Sequence, residues 1–227
     1  MRRLAFTAAL LAAGSAAPAR AAPDLGLGAE IYEVCAPCHG INGQGGGQGV
    51  YPRLAGMPVD YTLDQIRDFK RRVRTNIPML PYATDRELPD DDVVHVAAYL
   101  RSLRLKTRLP PADAAMDGLE RLNQAKQVLQ IPKTEGDVAA GRALYDRACA
   151  KCHGADGYGH EKAPLLAGQF STYLRKQIEQ FQAYEREHRD TETLFEERTA
   201  DEVRDLLAYL STLDDGIAES PVPRPGE

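Results

Sequence analysis

Tryptophan is absent from this chain of 227 residues, and ten tyrosines and five phenylalanines make a modest aromatic supply. A core built from them needs apolar bulk from another source. There are only four cysteines, and each falls in one of two short motifs, so none is left over for a disulfide. Methionine is as scarce, with four in the chain and none after Met116. The glycine-rich run from Gly40 to Gly49 has no G-K-[ST] after it and no strand pattern before it, which argues against a phosphate-binding loop. Apolar runs are short too. Only Leu4 to Ala17 stands out, and it is too short to span a bilayer.

That run follows Arg2 and Arg3 and precedes Ala19-Arg20-Ala21, a small-x-small cleavage pattern. Residues 1–21 therefore read as a secretory signal peptide, which predicts a periplasmic protein with no transmembrane segment in the mature chain. Peripheral association with a membrane stays open. Cleavage removes three arginines and leaves 25 basic against 33 acidic side chains. Residues 22–110 are balanced at 11 of each sign, whereas residues 137–227 carry 11 basic and 18 acidic. This field argues against nucleic acid as a partner and suits a polarised docking surface for other proteins.

The four cysteines lie in Cys35-Ala36-Pro37-Cys38-His39 and Cys149-Ala150-Lys151-Cys152-His153. C-x-x-C-H is the signature of covalent c-type haem attachment. On one helical turn the two thiols reach the two vinyl groups, and the adjacent histidine comes under the iron as an axial ligand. Zinc would want four ligands gathered at one place, and these pairs are far apart in sequence. A thiol redox pair would want a βαβ setting, and a disulfide would leave both histidines unexplained.

The surroundings of the motif repeat as well. Gly28-Ala29-Glu30-Ile31-Tyr32 answers to Gly141-Arg142-Ala143-Leu144-Tyr145. Pro52-Arg53-Leu54-Ala55-Gly56 answers to Pro164-Leu165-Leu166-Ala167-Gly168. Tyr61, Gln65-Ile66 and Phe69 answer to Tyr173, Gln177-Ile178 and Phe181, and Ala98-Tyr99-Leu100 to Ala208-Tyr209-Leu210. The pattern predicts a tandem duplication, with one unit at 22–106 and a second at 137–213. Between them lies a proline-punctuated linker, 107–136, with one helix packing across the boundary. Residues 214–227 read as a flexible tail. In the first unit, helical spacing predicts helices from about Gly28 to Cys38, Val59 to Arg72 and Pro89 to Leu103.

Each unit resembles a class I cytochrome c: an N-terminal helix ending in C-x-x-C-H, a P-x-L-A-G loop, and a C-terminal helix with Ala-Tyr-Leu. The tandem resembles the dihaem cytochromes of the cytochrome c-four type. The resemblance implies an all-α fold of two domains, each three to four helices wrapped around one haem, with two covalently attached haem c groups in all. Gly28 and Tyr32 would cross the Tyr99 helix, and Gly141 and Tyr145 the Tyr209 helix. The Pro52 and Pro164 carbonyls would accept a hydrogen bond from the far nitrogens of His39 and His153.

For the second axial ligand, Met79 lies in the proline-stiffened loop Asn76 to Pro81, where this family places its methionine. Met57 reads as packing or a haem-edge contact, Met116 as an interdomain contact and His95 as helix surface. The second unit departs from the family, having no methionine at all. His188 lies 21 residues before Tyr209, close to the 20 from Met79 to Tyr99, and is the candidate ligand. His160 or an open five-coordinate iron is the other reading. Lys70-Arg71-Arg72-Arg74 could serve haem propionates, an acidic partner, or only solvation.

Methionine ligation raises a haem's potential, and a second imidazole leaves the ferric state better stabilised. Unequal ligation therefore predicts a graded electron-transfer protein. Its redox partners would be a dehydrogenase or quinol-oxidising complex on one side and a terminal oxidase or reductase on the other. The rival expectation is a haem enzyme acting on peroxide or a sulfur compound at the second haem.

Overall fold

The computed structural model describes residues 22–105, 109, 111, 115–126, 128, 129, 131–189, 191 and 193–213. The predicted signal peptide and tail lie outside the described residues, as does part of the linker. The first unit comprises α1 (Leu25–Tyr32), α2 (Ala36–His39), α3 (Val59–Lys70) and α4 (Asp90–Ser102). In the linker lies α5 (Gly118–Lys126), and the second unit has α6 (Val138–Ala148), α7 (Ala150–His153), α8 (Ser171–Gln182) and α9 (Ala200–Leu210). Gly46 with Tyr51 and His160 with Ala163 form isolated antiparallel bridges.

Both units start alike. Asp24 caps α1 by accepting from the Gly26 and Leu27 N–H groups, and Asp137 caps α6 by accepting from Ala139 and Ala140. Such caps satisfy donors that the first helical turn leaves without partners. The expected single helix to Cys38 is divided in the first unit, where α1 stops at Tyr32 and α2 begins at Ala36. Pro37 explains this, since it has no N–H to continue the ladder but fits a helix's first turn. Lys151 replaces it in the second unit, and there only Cys149 separates α6 from α7.

The N-terminal and C-terminal helices of each unit cross at a glycine. A Cβ on Gly28 would stand 2.3 Å from the His95 carbonyl oxygen, and one on Gly141 would stand 1.9 Å from that of Asp205. Only a bare Cα lets the helices approach so closely. Beside each crossing two tyrosine rings meet, Tyr32 with Tyr99 at 5.7 Å and Tyr145 with Tyr209 at 5.3 Å. His95 is more than helix surface, because its Nδ1 accepts the Asp24 N–H at 2.8 Å and ties the start of α1 to α4.

Each unit has its own apolar core, Tyr32, Leu88, Val93, Val96 and Leu100 in the first, and Leu144, Tyr145, Ile178, Leu206 and Leu207 among those in the second. A third cluster joins them: Met57 is buried with Tyr158, Leu165 and Ala167 of the second unit, with Tyr61 and Leu213 against it. In the linker, Leu129 is buried, whereas Leu119 and Leu122 on α5 are exposed.

Candidate haem sites and the cleft between them

In the first unit, Cys35 caps α2 and Cys38 lies on it, and the helix ends on His39, a residue only 6% exposed. The His39 Nδ1 lies 2.9 Å from the Pro52 carbonyl oxygen. A carbonyl only accepts, so Nδ1 carries the proton and Nε2 keeps a free lone pair, the state an axial ligand needs. Burial also favours the neutral ring by pulling its pKa down, against the opposing pull of the Pro52 hydrogen bond. The second unit repeats each element: Cys149 caps α7, Cys152 lies on it, and buried His153 donates from Nδ1 to Pro164 at 2.9 Å. Burial pushes the Cys35 and Cys149 thiols up to about 11. As free thiols they would stay protonated at neutral pH and so be slow in disulfide exchange.

The loops behind these turns are equally alike. Tyr32 donates its hydroxyl to the Gly40 carbonyl at 2.6 Å, and Tyr145 donates to Gly154 at 2.5 Å. Met79 ends a 3₁₀ turn, Ile77–Met79, with its side chain half-buried. Its N–H donates to Asn76, and its carbonyl accepts from Tyr82 and Ala83, so the loop has little freedom.

In the second unit a cavity of about 410 Å³ opens beside α7, lined by Cys149, Cys152, His153, His188, Ile178 and Phe181 among others. The structure brings His188 and His153 together, with ring centroids 6.2 Å apart. Two metal–nitrogen bonds of ~2 Å, plus about 1.1 Å from each nitrogen to its ring centre, span about 6 Å. His188 is wedged edge-on against Phe181 and Phe195, at 5.1 and 5.4 Å between centroids, and its Nδ1 is 2.6 Å from the Thr191 hydroxyl. An apolar cavity with two thiols on one wall and two imidazoles at that separation fits a haem c. His160 also lines the cavity but is exposed, on a bridge to Ala163.

The cavity's remaining wall comes from the other unit, through Tyr61, Gln65 and Arg74. There the duplication produces an exchange. Arg74 donates to Gln65 of its own unit at 2.7 Å, and to Tyr173 and Gln177 of the second unit, both at 2.9 Å. Arg186 donates to Gln177 of its own unit, and to Tyr61 and Gln65 of the first at 3.1 and 2.9 Å. Each guanidinium also covers a ring of its own unit, Phe69 at 4.6 Å and Phe181 at 5.0 Å.

Arg189 adds ion pairs to Asp64 and Asp68 on α3. The segment that carries His188 is thus fastened on both sides to the first unit. Sequence reasoning missed this role for Arg74 and Arg186, which it left in a basic cluster and a charged loop. The signal was available: the two are 112 residues apart, as are Tyr61 and Tyr173. The rest of the basic cluster divides. Lys70 is paired with Asp85 and Asp90 at 3.0 and 2.6 Å, while Arg71 and Arg72 are exposed.

The family model described as Cytochrome c matches the chain twice, over residues 26–104 and 138–214. Cytochrome c4 of Pseudomonas aeruginosa is 32% identical over 76% of this chain and 78% of its own length. A thiosulfate dehydrogenase electron acceptor of Thiomonas intermedia is 35% identical over 78% of this chain and 74% of its own. The solved structure of Acidithiobacillus ferrooxidans cytochrome c4 superposes with a TM-score of 0.61, at 25% identity, over 79% of this chain and 99% of that one. With two family matches, two C-x-x-C-H turns and dihaem relatives along most of its length, the chain belongs to the cytochrome c family, as a tandem of class I domains with two covalently attached haem c groups that works in electron transfer.

Proposed function

We propose that this protein is a periplasmic carrier that takes electrons from a dehydrogenase or quinol-oxidising complex and passes them to a terminal oxidase or reductase through two unequally ligated haems. The observation that carries this reading is the 6.2 Å between the His153 and His188 rings, in a unit that has no methionine. Cys35 and Cys38 would anchor the first haem, with His39 and Met79 as the residues to ligate it, in a domain spanning 22–106. Cys149 and Cys152 would anchor the second, with His153 and His188 as the residues to ligate it, in a domain spanning 137–213. When bound, each haem supplies a one-electron ferric–ferrous couple.

The protein's part is to set the two couples apart. Thioether sulfur from Met79 favours the ferrous state in the first unit, and the His188 imidazole favours the ferric state in the second. Pro52 and Pro164 keep the proximal imidazoles in one orientation and one tautomer. Electrons enter at the more acidic second domain and leave from the first. The Thiomonas relative, named for accepting electrons from thiosulfate dehydrogenase, supports a dehydrogenase as donor. No helix among the described residues is long and apolar enough to cross a membrane.

Redox titration of the whole protein, followed in the visible spectrum, should resolve two one-electron waves, and the reduced protein should bind no carbon monoxide at neutral pH. A haem that binds carbon monoxide readily would sink the carrier reading in favour of an enzyme. A second expectation concerns the fastening of the His188 loop. Replacing Asp64 and Asp68 together by asparagine removes the Arg189 ion pairs. Arg189 is 45% exposed, but Asp64 is buried and also pairs with Arg67 at 2.8 Å, so the cost in stability should be about 1–3 kcal/mol. Cyanide should nevertheless displace the sixth ligand of the second haem several-fold faster, which stopped-flow absorbance measures.

A further inference from the structure

We propose that Gln169 of the second domain is a positioning residue for the first haem, acting through a hydrogen-bond chain that ends on His39. Gln169 is 1% exposed and lies on the inter-domain face. Its Oε1 accepts the Arg53 N–H at 3.0 Å, and its Nε2 donates to the Arg53 carbonyl at 3.0 Å. The Arg53 N–H and the Pro52 carbonyl belong to one planar peptide group, and that carbonyl accepts the His39 Nδ1–H at 2.9 Å. The chain therefore runs unbroken from the Gln169 amide, through the Pro52–Arg53 peptide, to His39. Hydrogen bonds in series polarise one another. By accepting from the N–H end, Gln169 makes the Pro52 carbonyl a stronger acceptor and the His39 ring more electron-rich, which favours ferric iron.

The duplication supplies its own control. In the 112-residue register, Leu165 corresponds to Arg53 and Met57 to Gln169. Met57 is a buried thioether in the cluster that holds Leu165, and the Leu165 N–H makes no hydrogen bond among the described residues. The two proximal histidines thus have like partners, but only His39 receives polar support from the neighbouring domain. This inference rests on His39 ligating the first haem.

The test uses the full dihaem protein with Gln169→Met and the reciprocal Met57→Gln. Gln169→Met should shift the first haem's ferric–ferrous equilibrium about two- to fivefold toward ferrous, roughly 20–40 mV at 59 mV per tenfold, and move it more than that of the second haem, whose cavity Gln169 also lines. In the reduced protein the His39 Nδ1–H proton resonance should move upfield and that of His153 stay in place. Met57→Gln should do the opposite at the second site, lowering its midpoint and moving the His153 resonance downfield. A first midpoint unchanged by Gln169→Met, or one that moves no more than the second, overturns the proposal. If Gln169→Met does not fold, Met57→Gln decides alone, and because Met57 also lines the second cavity, an unmoved His153 Nδ1–H resonance overturns it. If instead no Nδ1–H resonance at His39 shows a haem ring-current shift in the wild type, His39 ligation itself fails.

Discussion

His188→Ala is expected to turn the second haem from a closed six-coordinate centre into one that binds carbon monoxide when reduced, and to raise its midpoint potential on the order of 100 mV. Both follow from removing an imidazole that favours ferric iron and leaving no methionine to replace it. The first haem should keep its spectrum and midpoint. Met79→Ala should give the mirror result, opening the first haem and lowering its midpoint while the second stays as it was. Spectroelectrochemical titration of wild type and both variants, with carbon monoxide added to the reduced forms, measures all of this. Should His188→Ala leave the low-potential spectrum and midpoint untouched, the assignment of His188 fails. Migration of His160 into the vacated place would show as a low-spin spectrum that Ala at both positions abolishes.

Gly141→Ala is expected to destabilise the second domain by about 3 kcal/mol. Alanine gains about 1 kcal/mol in helix propensity over glycine, which by itself would stabilise α6. The clash outweighs it, because the new Cβ would stand 1.9 Å from the Asp205 carbonyl oxygen and 2.5 Å from its carbon. Both are backbone atoms of α9, so no rotamer change relieves the contact and the helices must separate. For a unit of this size the melting temperature should fall by about 12–24 °C, which calorimetry reads as an earlier second-domain transition. A variant within about 0.5 kcal/mol of wild type would show that the crossing of α6 and α9 does not depend on a bare Cα. Gly28→Ala meets the His95 carbonyl at 2.3 Å and should cost somewhat less.

The sequence carried the architecture because duplication wrote it twice. Each C-x-x-C-H turn was legible beside its copy, the glycine–tyrosine crossings and proline carbonyls were implied by the resemblance to class I cytochromes c, and the family matches and the all-helical fold agree with that reading. What was hidden is the seam between the copies. Arg74 and Arg186 look like solvated charges along the chain, because their acceptors, Gln177 and Tyr173 for one and Tyr61 and Gln65 for the other, lie about a hundred residues away. Local pattern cannot show that a guanidinium has crossed into the neighbouring domain. The break between α1 and α2 was legible in principle at Pro37, but the run of helix-forming residues before it obscured the stop. Gln169 offered no such signal, since its place in the register is filled by Met57 in the other copy.

The exchange of Arg74 and Arg186 has a thermodynamic consequence. If docking of the two domains holds the Arg186–Arg189 segment where His188 can ligate, then ligation must strengthen docking by the same free energy, since coupling between two equilibria is reciprocal. A change of ligand or oxidation state at the second iron would then be felt as a change in how firmly the domains adhere. The interface is therefore also a gauge, on which the state of one iron could be read in the tightness of a protein–protein contact some distance from it.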